Sequence, residues 1–234
     1  MRRALAFLTP FGGAAVPDRR TLSWFPVVGA LMGLALGGAW WGADQLWPPV
    51  VAAAVVVALD LAITGLLHLD GLVDTADGVL PQLPRERRLE IMAEPTVGAY
   101  GVAVVGAVLL LRVTALASMR PDVLLLAGIW CASRTAMAVA ARAVPYARAG
   151  GGLASALLGG DWRPVGLYGV IGAVSLGAFA GGRPGELAVA EGFLGSAGAV
   201  VLARRRLGGF TGDVLGAAGI VGETVALVVA AAKW

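Results

Sequence analysis

Val50 to Gly78 read VVAAAVVVALDLAITGLLHLDGLVDTADG. The first part, 50–68, is an apolar run long enough to cross a bilayer as a helix. The end of the stretch sets Asp70, Asp74 and Asp77 where the surrounding chain is almost free of charge. Those aspartates stand at i, i+4 and i+7, so a helix turning about 100° per residue carries all three carboxylates on one face. His68, the single histidine, lies just before them. Three like charges on one stripe repel each other and are not explained by packing. A divalent cation reverses that sign, and carboxylate oxygens are the ligands Mg²⁺ prefers. Gly71 and Gly78 leave room for a ligand to approach the backbone.

Composition extends this reading to the whole chain. Of 234 residues, 58% are hydrophobic and only 14% charged, against about 25% in a soluble domain. Mean hydropathy is +0.81 and glycine occurs 35 times. Such a chain is a polytopic helical membrane protein in which glycine lets helices approach closely. GxxxG spacings at Gly29/Gly33/Gly37, Gly177/Gly181 and Gly208/Gly212/Gly216 are packing hints of the same kind. A net charge of +3 does not call for nucleic acid, because loop arginines account for the basic pI. Cys131 is alone and excludes an internal disulfide. Pro10 breaks the N-terminal apolar run, and we expect no cleaved leader.

Hydropathy predicts an all-α fold of about seven spans, near 25–43, 50–68, 98–118, 122–143, 164–182, 186–203 and 213–232, in one helical transmembrane domain covering 1–234. Longer connections fall at 69–97, 144–163 and 204–212. Thirteen Lys and Arg residues lie on the side of the N-terminus and these loops, and three on the other. The positive-inside rule then places the N-terminus and the longer loops in the cytoplasm and the C-terminus outside. The aspartate stripe falls at the cytoplasmic end of the second span or just beyond it.

Two further segments share that side. Arg85 to Met92, RERRLEIM, reads as a short amphipathic interfacial helix with Leu89 and Met92 down and Arg85 and Arg88 up, the arginines free to contact phosphate. Arg204 to Asp213, RRRLGGFTGD, joins a basic run to Thr211-Gly212-Asp213 at the mouth of the last span. Asp213 either caps that helix or completes a metal or nucleotide site. Within the spans, Asp60, Arg112, Arg134 and Glu223 need partners. Asp60 sits about 21 Å deeper than Asp74 on a continuous helix and reads as a buried partner for an arginine.

These residues resemble the cobalamin synthase family, the adenosylcobinamide-GDP ribazoletransferases, over nearly the whole chain. The resemblance is carried by Phe25-Pro26-Val27-Val28-Gly29, by Gly65 to Gly78, by Arg85 to Met92, by Pro145-Tyr146-Ala147-Arg148 with Gly151-Gly152-Leu153, and by Leu207 to Asp213. The chain departs from the family after Met92, where Glu94-Pro95-Thr96 stand in place of an Asp-Ser pair.

The resemblance implies a reaction. A ribose hydroxyl of α-ribazole, or of its 5′-phosphate, attacks the corrinoid-side phosphorus of adenosylcobinamide-GDP, and GMP leaves. It implies Mg²⁺ held by Asp70, Asp74 and Asp77, with His68 or one of these aspartates as the base. It implies Arg85, Arg88, Glu90, Arg204, Arg205, Thr211 and Asp213 as substrate or phosphate contacts, in the bacterial cytoplasmic membrane. Glycine-lined helices permit a homo-oligomer, and the pathway suggests association with other nucleotide-loop enzymes. Two other classes fit the residues less well. A CDP-alcohol phosphotransferase needs an Ala-Arg that does not follow Asp70-Gly71, and a transporter favours acids deep in several spans, whereas here they gather on one side.

Overall fold

The computed structural model of the protein describes residues 1–148, 151 and 153–234; Gly152 of the glycine-rich motif lies outside them. The chain forms helices α1 (Arg2–Leu8), α2 (Phe25–Asp44), α3 (Pro49–Ile63), α4 (Leu67–Val79) and α5 (Arg85–Ile91). It continues through α6 (Ala99–Ala117), α7 (Val123–Ala143), α8 (Arg163–Gly181), α9 (Arg183–Leu207) and α10 (Gly212–Ala230). Six of these, α2 and α6–α10, are long and apolar enough to cross a membrane. The fold is a polytopic helical membrane bundle.

The expected second span is the one that differs. It is not a helix over 50–68: α3 ends at Ile63, and α4 leaves at 89° to it. At 15 residues α3 is about 22 Å long, short of the hydrocarbon thickness. The turn is a Schellman motif, in which Leu66 N–H donates to Leu61 O (2.9 Å) and Gly65 N–H to Ala62 O (3.1 Å). Gly65 (φ +58°) takes the left-handed conformation that glycine tolerates, and Leu66 (φ +63°) repeats it against its own preference. His68 and the aspartates therefore belong to a separate helix, not to the tail of a span. The long connection 69–97 also contains α5, and α9 runs on to Leu207, so Arg204–Arg206 form its last turn rather than a loop.

α7 and α10 are the most enclosed spans and organise the others. Gly29, Gly33 and Gly37 of α2 lie against the α7 backbone at Trp130, Leu126 and Val123, so that stripe does set a close helix pair.

At mid-depth, Arg112 of α6 reaches Asp60 of α3 (3.0 Å) and Glu223 of α10 (2.9 Å). Arg134 of α7 pairs with the same Glu223, to which Ser133 donates at 2.8 Å. Trp130 Nε1 donates to Asp60 at 3.0 Å. Two cations and two anions thus neutralise one another across four helices, and Asp60 is indeed an arginine's partner.

With the bent α3–α4 pair taken as one broken crossing, alternation of the spans puts α1, the α3–α6 connection, the α7–α8 connection and the α9–α10 connection on one face. Side chains bind them there. Arg142 donates to Arg19 O (2.8 Å) and Asp161 O (2.9 Å), and Arg85 to Leu207 O (2.6 Å) and Ala147 O (3.0 Å).

Candidate active site

On that face α4 crosses the first turn of α10. The crossing is close because residue 71 is glycine: a Cβ there would stand 2.7 Å from Asp213 O. Gly71 therefore accommodates another helix, not a ligand, and Gly78 is likewise covered by Met92 and the Arg88 carbonyl. The contact brings the α4 aspartates beside Asp213.

Three aspartates on one helical face do not share one environment. Asp70 is exposed, Asp74 half-buried and Asp77 buried, because α4 dives under the start of α6. Asp77 accepts the N–H groups of Gly98 (2.8 Å) and Gly101 (2.9 Å), which are orphan donors at the α6 N-terminus. It is a helix-capping carboxylate that joins α4 to α6. Removing it, as in Asp77→Ala, strands the buried Gly101 donor at about 1–3 kcal/mol and the part-buried Gly98 donor at less. The expected outcome is a lower unfolding temperature in detergent, with turnover per folded molecule reduced less than about tenfold. A variant with wild-type stability and no turnover would contradict that assignment.

Asp70 and Asp74 differ from Asp77: among the described residues, no hydrogen bond or ion pair engages either carboxylate. Asp74 lies in the electrostatic field of Asp213, Asp70 and Arg148. Asp213 pairs with Arg148 (3.1 Å) and accepts from Thr211 Oγ (3.1 Å). Thr211, fully buried, is also the N-cap of α10, accepting from Val214 N–H. The cap is thus Thr211, and Asp213 is left facing the cluster.

Arg148 and Tyr146 were not among the sequence candidates, although the Pro145–Arg148 motif contains both. Their placement depends on a short backbone pairing. Ala147 N–H donates to Phe210 O (2.8 Å) and Phe210 N–H to Pro145 O (2.9 Å). Arg148 also donates to Met92 O (3.0 Å), which fixes its guanidinium over the cluster. Burial pushes the Tyr146 phenol above its ordinary range, with Arg148 acting in the opposite sense.

The arginines expected to face phosphate divide. Arg88 is 3% exposed and points inward, donating to Leu83 O, Gly78 O and Val79 O, so it terminates α4. The amphipathic reading of that helix is corrected here, because α4's last carbonyls need a donor. Arg85 ties α9 to the Ala147 carbonyl and keeps part of its guanidinium in solvent. Glu90 is an exposed partner of Arg87 at 3.1 Å, apart from the carboxylate cluster. Arg204 and Arg205 are exposed in the last turn of α9, where positive charge favours the helix dipole.

His68 is 3% exposed, between α4 and α10, with Gly216 against its Cα. It borders a cavity of about 150 Å³ whose lining includes Phe7, Met137, Tyr146, Arg148 and Asp213. Among the described residues no three His, Cys, Asp or Glu side chains converge tightly enough to enclose a metal ion. The arrangement suits an ion held by one or two carboxylates and otherwise by substrate oxygens, the usual habit of Mg²⁺ at phosphates.

Residues 1–231 match the family described as CobS, cobalamin-5-phosphate synthase. Curated relatives named adenosylcobinamide-GDP ribazoletransferase are similar along most of their length. The Desulforamulus reducens protein is 34% identical over 231 residues, covering 96% of this chain and 92% of the relative. The Bradyrhizobium diazoefficiens protein is 39% identical over 213 residues, covering 88% and 81%. The Pseudomonas paraeruginosa protein is 38% identical over 237 residues, covering 96% and 94%. No solved structure matches the chain.

Proposed function

The chain belongs to the cobalamin-5-phosphate synthase family, and we propose that it transfers the adenosylcobinamide-phosphate group of adenosylcobinamide-GDP to α-ribazole or its 5′-phosphate, releasing GMP. The observation that carries this reading is the match over nearly the whole chain, which includes every residue of the carboxylate–arginine cluster. We place the reaction at Asp70, Asp74, Asp213 and Arg148.

Phosphoryl transfer asks the protein for position and charge stabilisation more than for covalent chemistry. The acceptor hydroxyl bonds to the corrinoid-side phosphorus, and the bond from that phosphorus to the bridging oxygen breaks. That oxygen leaves with GMP. The hydroxyl proton passes to a carboxylate oxygen of the cluster that no cation engages. Arg148 turns from Asp213 toward a phosphate oxygen, while Thr211 holds Asp213 in position. A divalent cation bound there, Mg²⁺ in this reading, would supply positive charge to offset that of the pyrophosphate. Asp70 and Asp74 would hold it, with Asp213 adjacent. Asp77 and Arg88, satisfied by backbone groups, are left out of the machinery. Arg85, Arg204 and Arg205 lend positive potential to the approach of an anionic substrate.

The test is purified protein in liposomes with adenosylcobinamide-GDP, α-ribazole and Mg²⁺. We expect GMP and a cobalamin product in equal amounts, and loss of both on chelation with EDTA. Absence of GMP sinks the transferase reading, and turnover indifferent to EDTA sinks the metal.

We further propose that this face is cytoplasmic, on the thirteen-to-three bias of basic residues. A cysteine introduced as Arg87→Cys, with the native Cys131 buried, should resist a membrane-impermeant thiol reagent in intact cells. It should react after permeabilisation, and labelling of intact cells would reverse the orientation.

A further inference from the structure

The cavity beneath the cluster has a composition that phosphate chemistry does not explain. Arg148 and Asp213 of the cluster line it together with Phe7, Met137, Tyr146 and His68. Aromatic and thioether surfaces favour a flat, largely apolar ring over an anion. At about 150 Å³ it offers roughly the liquid volume of five waters, enough for a fused bicyclic ring and too little for a corrinoid. A second observation is independent of shape. His68 Nε2 is buried and has no hydrogen-bond partner among the described residues. A buried ring nitrogen in that condition costs free energy until a ligand atom meets it.

We propose that this cavity receives the heteroaromatic base of the acceptor nucleoside, with His68 Nε2–H donating to the free ring nitrogen of the base. The inference rests on the transferase reading above and adds to it a specificity pocket. One nitrogen of a benzimidazole nucleoside is used by the glycosidic bond, which leaves the other as a lone acceptor. The ring's carbocyclic side meets Met137 and Phe7. Its ribose then points out toward Asp213 and Arg148, where the phosphorus is attacked. His68 is accordingly a positioning and specificity residue, and the proton of the reacting hydroxyl goes to the carboxylates. A purine base is disfavoured because its exocyclic amine and additional ring nitrogens find no matching polar groups at the apolar end.

Three variants test this with α-ribazole as the probe. His68→Phe keeps the ring shape and removes the nitrogen, Ala154→Leu fills the cavity from another wall, and Met137→Ala enlarges it. Equilibrium binding of α-ribazole is measured without donor substrate, alongside KM for each substrate and the unfolding temperature. We expect His68→Phe and Ala154→Leu to weaken α-ribazole binding by about tenfold or more and to raise its KM equally, with KM for adenosylcobinamide-GDP within about twofold. Stability of His68→Phe should stay at the wild-type level, since no protein partner is lost. Met137→Ala should narrow the preference for α-ribazole over the α-riboside of adenine.

Wild-type protein that releases GMP while both His68→Phe and Ala154→Leu bind α-ribazole normally would overturn this inference alone. An increase confined to the KM of the donor would do the same. Wild-type protein that binds α-ribazole yet releases no GMP would remove the transferase reading and leave the nucleoside pocket standing. Protein that does neither removes both.

Discussion

Asp74→Asn lowers the rate of GMP release by about 10²–10³-fold and leaves the unfolding temperature unchanged. The two halves of that result come from the same geometry. Asp74 is half-buried at the crossing of α4 and α10, and among the described residues no hydrogen bond or ion pair engages its carboxylate. The isosteric amide therefore strands no donor and opens no cavity, so the folded state has nothing to lose. In the proposed reaction, catalysis loses a negative charge beside the pyrophosphate, where a divalent cation would be held. Its local field is set by Asp213, Asp70 and Arg148, and none of these replaces the missing charge from the same position. Purified Asp74→Asn, compared with wild type in the GMP assay and in thermal unfolding, checks both halves. Turnover within tenfold of wild type would remove Asp74 from the chemistry. The contrast with Asp77→Ala is the sharper control. Two aspartates three residues apart on one helix should separate, one affecting rate and the other stability.

The largest stability effect is expected at Glu223→Leu, with a loss of about 3–5 kcal/mol or failure to accumulate folded protein. Glu223 is 1% exposed and is shared by Arg112 and Arg134, which are equally buried. Arg112 also pairs with Asp60 at 3.0 Å and so keeps a carboxylate in the variant, but Arg134 keeps none among the described residues. Its charge then stands in the membrane interior with Ser133 as its one remaining side-chain partner among the described residues. The guanidiniums already hold nitrogens with no partner among the described residues, Nε and Nη1 of Arg112 and Nε and Nη2 of Arg134, so the network has little reserve. Adding Arg134→Met to Glu223→Leu removes the stranded cation and should recover part of the loss. Thermal unfolding in detergent of the single and double variants measures the coupling. A double variant less stable than Glu223→Leu alone would mean that Arg134 is held by something other than this carboxylate.

Much of the fold was legible because bilayer crossing imposes length and apolarity directly. The spans α6, α7, α8 and α10 begin and end within two residues of the hydropathy reading. The Gly29/Gly33/Gly37 stripe marked a real helix pair, and Asp60 announced its arginine through the cost of a lone charge in hydrocarbon. The break at 64–66 was not legible. Hydropathy runs unbroken from α3 into α4, and the turn relies on Leu66 in a left-handed conformation that propensity alone would refuse it. Helical periodicity rightly put Asp70, Asp74 and Asp77 on one face. It could not show that the face slopes from solvent into the α6 N-terminus, which gives Asp77 to Gly98 and Gly101. Arg88 misled for a related reason. A cation on a short amphipathic helix reads as solvent-facing, yet the carbonyls that end α4 draw it inward. Arg148 gives no periodic signal at all, since pairing between Ala147 and Phe210 alone brings it over Asp213.

In the proposed reaction Asp70 and Asp74, with Asp213 adjacent, would hold a divalent cation at the pyrophosphate beside Arg148. Mn²⁺, as a paramagnetic substitute for Mg²⁺, permits a direct measurement by electron–nuclear double resonance on protein loaded with adenosylcobinamide-GDP. We expect a phosphorus hyperfine coupling to bound Mn²⁺ in wild type, retained in Asp77→Asn and lost in Asp74→Asn. A coupling that survives Asp74→Asn and disappears in Asp77→Asn would contradict it.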